Sequence, residues 1–179
     1  MNRKIIIVTL FLLFVSANYY QVFAQSTGTR IKKVESAYPE SVIWFSQPRE
    51  IFDIRLLLQN GEKERAVKKA RDYVASLEHV GGVEAEQRLY YGLNALCAAL
   101  TSAGDVNEAI DSCNRAIKLY PTRWQALNNR GTAYYVSGKL DLALKDFREA
   151  LKQVQGSETL PELIQHNIKL AEEKKSNTN

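Results

Sequence analysis

The chain predicts an all-α fold, a helical-repeat solenoid of antiparallel helix pairs with a C-terminal capping helix, and three observations lead there. The first is the stretch NNRGTAYYVSGKLDLALKDFREAL, residues 128–151, which reads as two amphipathic helices parted by a glycine. The second is that much of it recurs 34 residues earlier without a gap: Leu93 for Leu127, Asn94 for Asn128, Ala99 for Ala133, Gly104 for Gly138, Ala109 for Ala143 and Ala116 for Ala150. Self-similarity at one fixed period marks stacked supersecondary units, each too small to bury its apolar face alone. The third is a closing segment with one apolar side, as the end of an open stack requires.

From the amino terminus, Arg3-Lys4 precedes an apolar run, Ile5 to Val15, and then Val22-Phe23-Ala24 before Gln25. A basic start, an apolar block and small or aliphatic residues before a cut predict a secretory signal over residues 1–24, cleaved after Ala24. Ile5 to Ala24 is just long enough to span a bilayer as an uncleaved anchor, but Asn18, Tyr19, Tyr20 and Gln21 argue for cleavage. Residues 25–45 form a polar, aperiodic leader, poorly ordered, whose apolar Ile43-Trp44-Phe45 can dock elsewhere.

Residues 46–80 read as a degenerate helix pair. Ser46 caps a helix with Pro48 in its first turn and Ile51, Ile54, Leu57 and Leu58 on its face; Gly61 turns the chain, and Ala66, Val67, Ala70, Tyr73, Val74 and Leu77 recur at helical spacing. Gly61 lies further from Gly104 than one period allows. The excess is absorbed by Gly81-Gly82 and an extended helix start from about Val83, so this unit is tilted or offset. The two well-matched units span residues 83–122 and 123–156. In the second, Leu127, Tyr134, Ala143, Phe147 and Ala150 mark a buried stripe on each helix. Gly131 lets the helices close opposite Ala143, Gly138 permits the tight turn, and Phe147 fills space between successive helices. Pro121 ends the preceding helix because it lacks an amide donor. Over residues 159–175, Thr159 and Glu162 have capping-box spacing, with Leu160, Leu163, Ile164, Ile168 and Ala171 on one side, while Lys174 to Asn179 read as frayed.

The Leu, Gly, Tyr, Ala, Phe, Ala and Pro positions, taken across the two copies, resemble the tetratricopeptide repeat family over Tyr90 to Gln155. Departures are Cys97 at the expected glycine, Cys113 at the aromatic, Arg130 at the leucine that Leu96 supplies in the first copy, a displaced Trp124, and Gln155 where proline would close the unit. The resemblance implies a right-handed superhelix whose first helices line a concave groove for an extended peptide or a helix of another protein. By register that groove comprises Tyr91, Asn94, Ala98 and Thr101 from one copy and Gln125, Asn128, Thr132 and Tyr135 from the next. Asparagine amides can pair with a peptide backbone and tyrosine adds contact area with a polar tip; equally, Asn94 and Asn128 are ordinary solvated helix residues. The basic positions with which chaperone-binding members hold a terminal carboxylate are not reproduced. Asn129 alone matches a favoured asparagine place, so that specificity does not carry over.

Charge and residue chemistry narrow the function classes. The formal net charge is +4, but without Arg3 and Lys4 the remaining chain has 22 basic against 20 acidic residues. Each basic doublet has acidic neighbours, which argues against nucleic-acid or lipid-headgroup binding. His79 and His166 are solitary, and no phosphate loop or zinc spacing appears. Neither a catalytic centre, a metal nor a cofactor is therefore expected. Export places Cys97 and Cys113 in an oxidising compartment, where antiparallel helices could join them as a disulfide. Their packing positions, offset by about a turn, favour free buried thiols instead. The expectation is a non-catalytic interaction module or adaptor of the cell envelope, periplasmic or else secreted, whose partner is a protein or peptide and which has no stable membrane insertion after signal cleavage. The alternative is a self-associating structural component, or an assembly factor anchored to the inner membrane by an uncleaved signal.

Overall fold

Apolar residues three and four apart, interrupted by glycine, coil the chain into α1 (Arg49–Gln59), α2 (Lys63–Leu77), α3 (Val83–Ala103), α4 (Val106–Leu119), α5 (Trp124–Val136), α6 (Leu140–Gln153) and α7 (Leu160–Ser176). The computed structural model describes residues 48–154 and 160–178, all within the unit Lys32–Asn179. The signal over 1–24, the leader over 25–45 and the caps assigned to Ser46 and Thr159 lie outside the described residues. Pro48 precedes α1 rather than entering its first turn.

Three turns share one construction. Lys139 N–H reaches Tyr134 O at 2.9 Å and Gly138 N–H reaches Tyr135 O at 3.2 Å, while Gly138 takes a φ of 75°. This paired closure satisfies carbonyls that a helix end leaves open, and it needs a left-handed residue that glycine supplies without steric cost. The same two bonds recur at Gly104 and at Gly61, so the hairpin of the degenerate first unit is built like the other two. Its longer spacing is taken up where expected: α3 begins at Val83 and runs 21 residues, against 13 in α5.

Each helix packs on the next in sequence, and the first helices of successive pairs, α1, α3, α5 and then α7, also lie side by side. Among the described residues the second helices α2, α4 and α6 make no such backbone approach to one another. Long side chains bridge α2 and α4 instead, in Arg71 to Glu108 and Arg115 to Glu78, each 2.5 Å at its shortest. Close first helices and spread second helices bend the stack with the first helices on its inner side. The core is correspondingly fine-grained there: Ala95, Ala98, Ala99, Ala126 and Ala133 are fully buried along α3 and α5.

Two expectations change in detail. A Cβ on Gly131 would lie 2.6 Å from the Phe147 ring, so the glycine makes room for that ring. Phe147 thus fills space between the successive helices α5 and α6, as expected, but it is the ring and not Ala143 that meets the glycine. The second correction is at the carboxyl end, where Lys174 and Lys175 belong to α7. Lys174 Nζ donates to Tyr135 O at 3.1 Å and lies 4.4 Å from the Tyr135 ring centre, while Lys175 pairs with Asp141 at 2.5 Å. Leu163, Ile164 and Ala171 are buried beneath α7 and Gln165, His166 and Lys169 are exposed above it, the division a cap requires.

Candidate functional site: the first-helix face

The residues assigned to the groove sit on α3 and α5, which run side by side, and the structure sorts them by depth. Asn94, Ala98, Thr101, Asn128, Thr132 and Tyr135 are buried; Tyr91 and Gln125 are half-buried. The deep positions are not simply solvated helix residues. Asn129 Nδ2 donates to Asn94 Oδ1 at 3.0 Å, tying α5 to α3, and Asn167 Nδ2 donates to Asn128 Oδ1 at 2.9 Å, tying α7 to α5. All four asparagines are at most 1% exposed. An amide pair is short, which lets the helices approach, and each of these four asparagines finds a partner, without which burial would be costly. Thr101 and Thr132 each return a hydroxyl hydrogen bond to their own helix, to Cys97 O and Asn128 O.

At the rim, aromatic and polar chemistry converge. Gln87 Nε2 donates to the Tyr91 hydroxyl at 3.0 Å, and the Tyr90 hydroxyl donates to Gln125 Oε1 at 3.3 Å. The Arg123 guanidinium, in the connection between α4 and α5, lies 4.3, 4.8 and 5.3 Å from the ring centres of Tyr120, Tyr90 and Tyr91. Such a cation over aromatic faces holds this connection against the middle of α3, through Tyr90 and Tyr91, and against Tyr120 at the end of α4. Burial pushes the Tyr90 phenol well above its usual range, so it remains a neutral donor. Sequence reasoning missed Arg123. The signal available was the recurrence of tyrosines at 90, 91 and 120 around one basic residue.

Arg130, at the family's leucine place, is answered by Asp146. Its Nε and Nη2 meet the two carboxylate oxygens at 2.6 and 2.8 Å, and Nη1 donates to Asn114 Oδ1 at 2.7 Å, joining α5 to α6 and α4. Those carboxylate hydrogen bonds hold the guanidinium pKa above its ordinary value. Thirty-four residues earlier the corresponding pair is Leu96 and Ser112, so both members changed together, a signal readable within the chain.

Cys97 and Cys113 are joined as a disulfide with Cα atoms 5.4 Å apart, which corrects the preference for free thiols. The offset inferred from sequence overlooked that the two positions face each other across one helix pair, as Gly131 and Phe147 do. His79 and His166 are exposed and distant in sequence, and among the described residues no group of three or more His, Cys, Asp or Glu is placed to hold a metal. No described helix is long and apolar enough to cross a membrane.

Residues 124–153 match the family model for the tetratricopeptide repeat. No curated protein sequence matches the chain. Among solved structures the chain is similar to the first TPR domain of the human RPAP3 protein, at 16% identity and a TM-score of 0.56, covering 72% of this chain and 91% of that one. It is also similar to the second TPR domain of the human RPAP3 protein, solved in complex with the HSP70 peptide SGPTIEEVD, at 22% identity and a TM-score of 0.52, covering 69% and 92%. The all-α repeat architecture is thus that of tetratricopeptide domains, and α5 with α6 forms a tetratricopeptide repeat.

Proposed function

We propose that this chain is a non-catalytic interaction module that holds a peptide or helix of another protein against the face formed by α3 and α5. The observation that carries the reading is the fixed side-by-side seating of those helices, with asparagine hydrogen bonds in the floor and Tyr91 and Gln125 half-buried at the rim. A face whose backbone spacing is preset loses little entropy when a partner is laid on it. Peptide capture by a domain of the same fold, the second TPR domain of RPAP3, supports the class of partner. The identity of the partner does not follow from the fold.

The compartment belongs to the same proposal: the module works outside the cytoplasm, in the periplasm, with secretion as the variant. The signal-like amino terminus and the Cys97–Cys113 disulfide both support this. Photo-crosslinking groups placed at Tyr91 and Gln125 in intact cells should give partner adducts that the same groups at His79 and His166 do not. Equal labelling at all four positions would remove the binding face. Intact mass of the mature chain, expected to begin at Gln25, tests export separately.

A further inference from the structure

The disulfide occupies a position the repeat itself defines. Cys97 and Cys113 stand 34 residues before Gly131 and Phe147, and in the second pair the Phe147 ring fills the space left by the missing side chain of Gly131. In the first pair no aromatic is present at that place. Two sulfur atoms fill it, both cysteines are fully buried, and the bond links α3 to α4 directly. Two separate thiols at the same place would keep the same heavy atoms but lack the covalent tie between the helices.

We propose that the Cys97–Cys113 disulfide is the structural lock of the first well-matched pair, set by oxidation as the chain folds and then sealed from reductants, so that α3 and α4 reach their full stability only in an oxidising compartment. In closing, the two thiols together give up two protons and two electrons as the S–S bond forms. The acceptor is a disulfide, that of a thiol–disulfide oxidoreductase or of a small oxidised thiol, which leaves reduced as two thiols after a mixed-disulfide intermediate. The closed loop is short, with 16 residues separating the cysteines in sequence number, and cross-links of this span commonly add a substantial share of a domain's stability. Burial makes this a lock rather than a switch, because a reductant can reach the sulfurs only after the pair opens.

The experiment uses the full chain and reads stability and thiol accessibility, neither of which depends on the binding proposal. Refolding with dithiothreitol present should lower the unfolding midpoint by on the order of 10 °C relative to the oxidised chain. The double variant Cys97→Gly/Cys113→Phe, which installs the pairing of the second unit, should be indifferent to reductant and melt above Cys97→Ala/Cys113→Ala. Native oxidised chain treated with dithiothreitol and an alkylating agent should gain mass at least about 100-fold more slowly than denatured chain. Equal midpoints for oxidised and reduced chain would overturn the lock. Equal alkylation rates would overturn the seal, and a glycine–phenylalanine variant no better than the alanine pair would overturn the equivalence of the two positions.

Discussion

Gly131 shows how much a single hydrogen atom carries. Its missing side chain is the seat of the Phe147 ring, and a methyl group there would stand 2.6 and 2.7 Å from two ring carbons. The helix would gain about 1 kcal/mol of propensity from Gly131→Ala, but overpacking commonly costs about 1–3 kcal/mol, and here the clash is with a rigid ring that is 1% exposed. Thermal unfolding should therefore show Gly131→Ala destabilised by about 1–2 kcal/mol, and Gly131→Ala/Phe147→Leu should recover part of that. A single variant at or above the parent midpoint would mean the ring can move aside. The sequence marks Gly131 as a place of close approach because it is a glycine inside an amphipathic helix, yet points to Ala143 as what approaches. A glycine records that a position is small; which side chain fills the gap depends on the rotation of two helices about their axes.

The same limit separates what is legible from what is not among the helices. Stripes of apolar residues and the three turn glycines are local signals, so every described helix and its buried face can be read directly. Polar links between helices depend on two positions at once. Arg130 stands out as a departure, while Asp146, taken alone, looks like one more solvent-facing acid on α6 and is marked as a partner only when both are set against Leu96 and Ser112 one period earlier. In the structure Asp146 is 4% exposed and holds the guanidinium by two hydrogen bonds. Removing one partner of a buried pair leaves a charge without compensation, whereas replacing both by residues that pack is often neutral or favourable. Asp146→Ala should thus cost about 2–3 kcal/mol in denaturant unfolding, less than a fully buried pair because Arg130 keeps some water contact. Arg130→Leu/Asp146→Ser, which copies Leu96 and Ser112, should restore most of it. A double variant as weak as Asp146→Ala would show that the link to Asn114, and not the pair, carries the effect. The asparagines follow the same reasoning: Asn94 and Asn128 read as groove or solvent residues in the sequence because Asn129 and Asn167, which donate to them, lie on other helices.

At the scale of the whole stack, each helix touches only its near neighbours in the chain, so perturbations should decay along it rather than spread evenly. The terminal helix offers a clean test. α7 covers α6 and the end of α5 through Leu163, Ile164 and Ala171, the Asn167–Asn128 hydrogen bond and the anchors Lys174 and Lys175. Asn167→Ala withdraws one buried donor from Asn128, a loss of about 1–3 kcal/mol where no water enters. Amide hydrogen exchange should then accelerate first in α7, next in α5 and α6, and least in α2, which does not touch α7. The opposite end supplies the control: Ile54→Ala, which opens a cavity beneath α1, should accelerate α1 and α2 while leaving α7 near its parent rate. Uniform acceleration from either end would mean that the described helices open as one cooperative block. In that case the disulfide in the first well-matched pair would stabilise α7 as much as α3, and the stack would behave as a globule despite its repeating sequence.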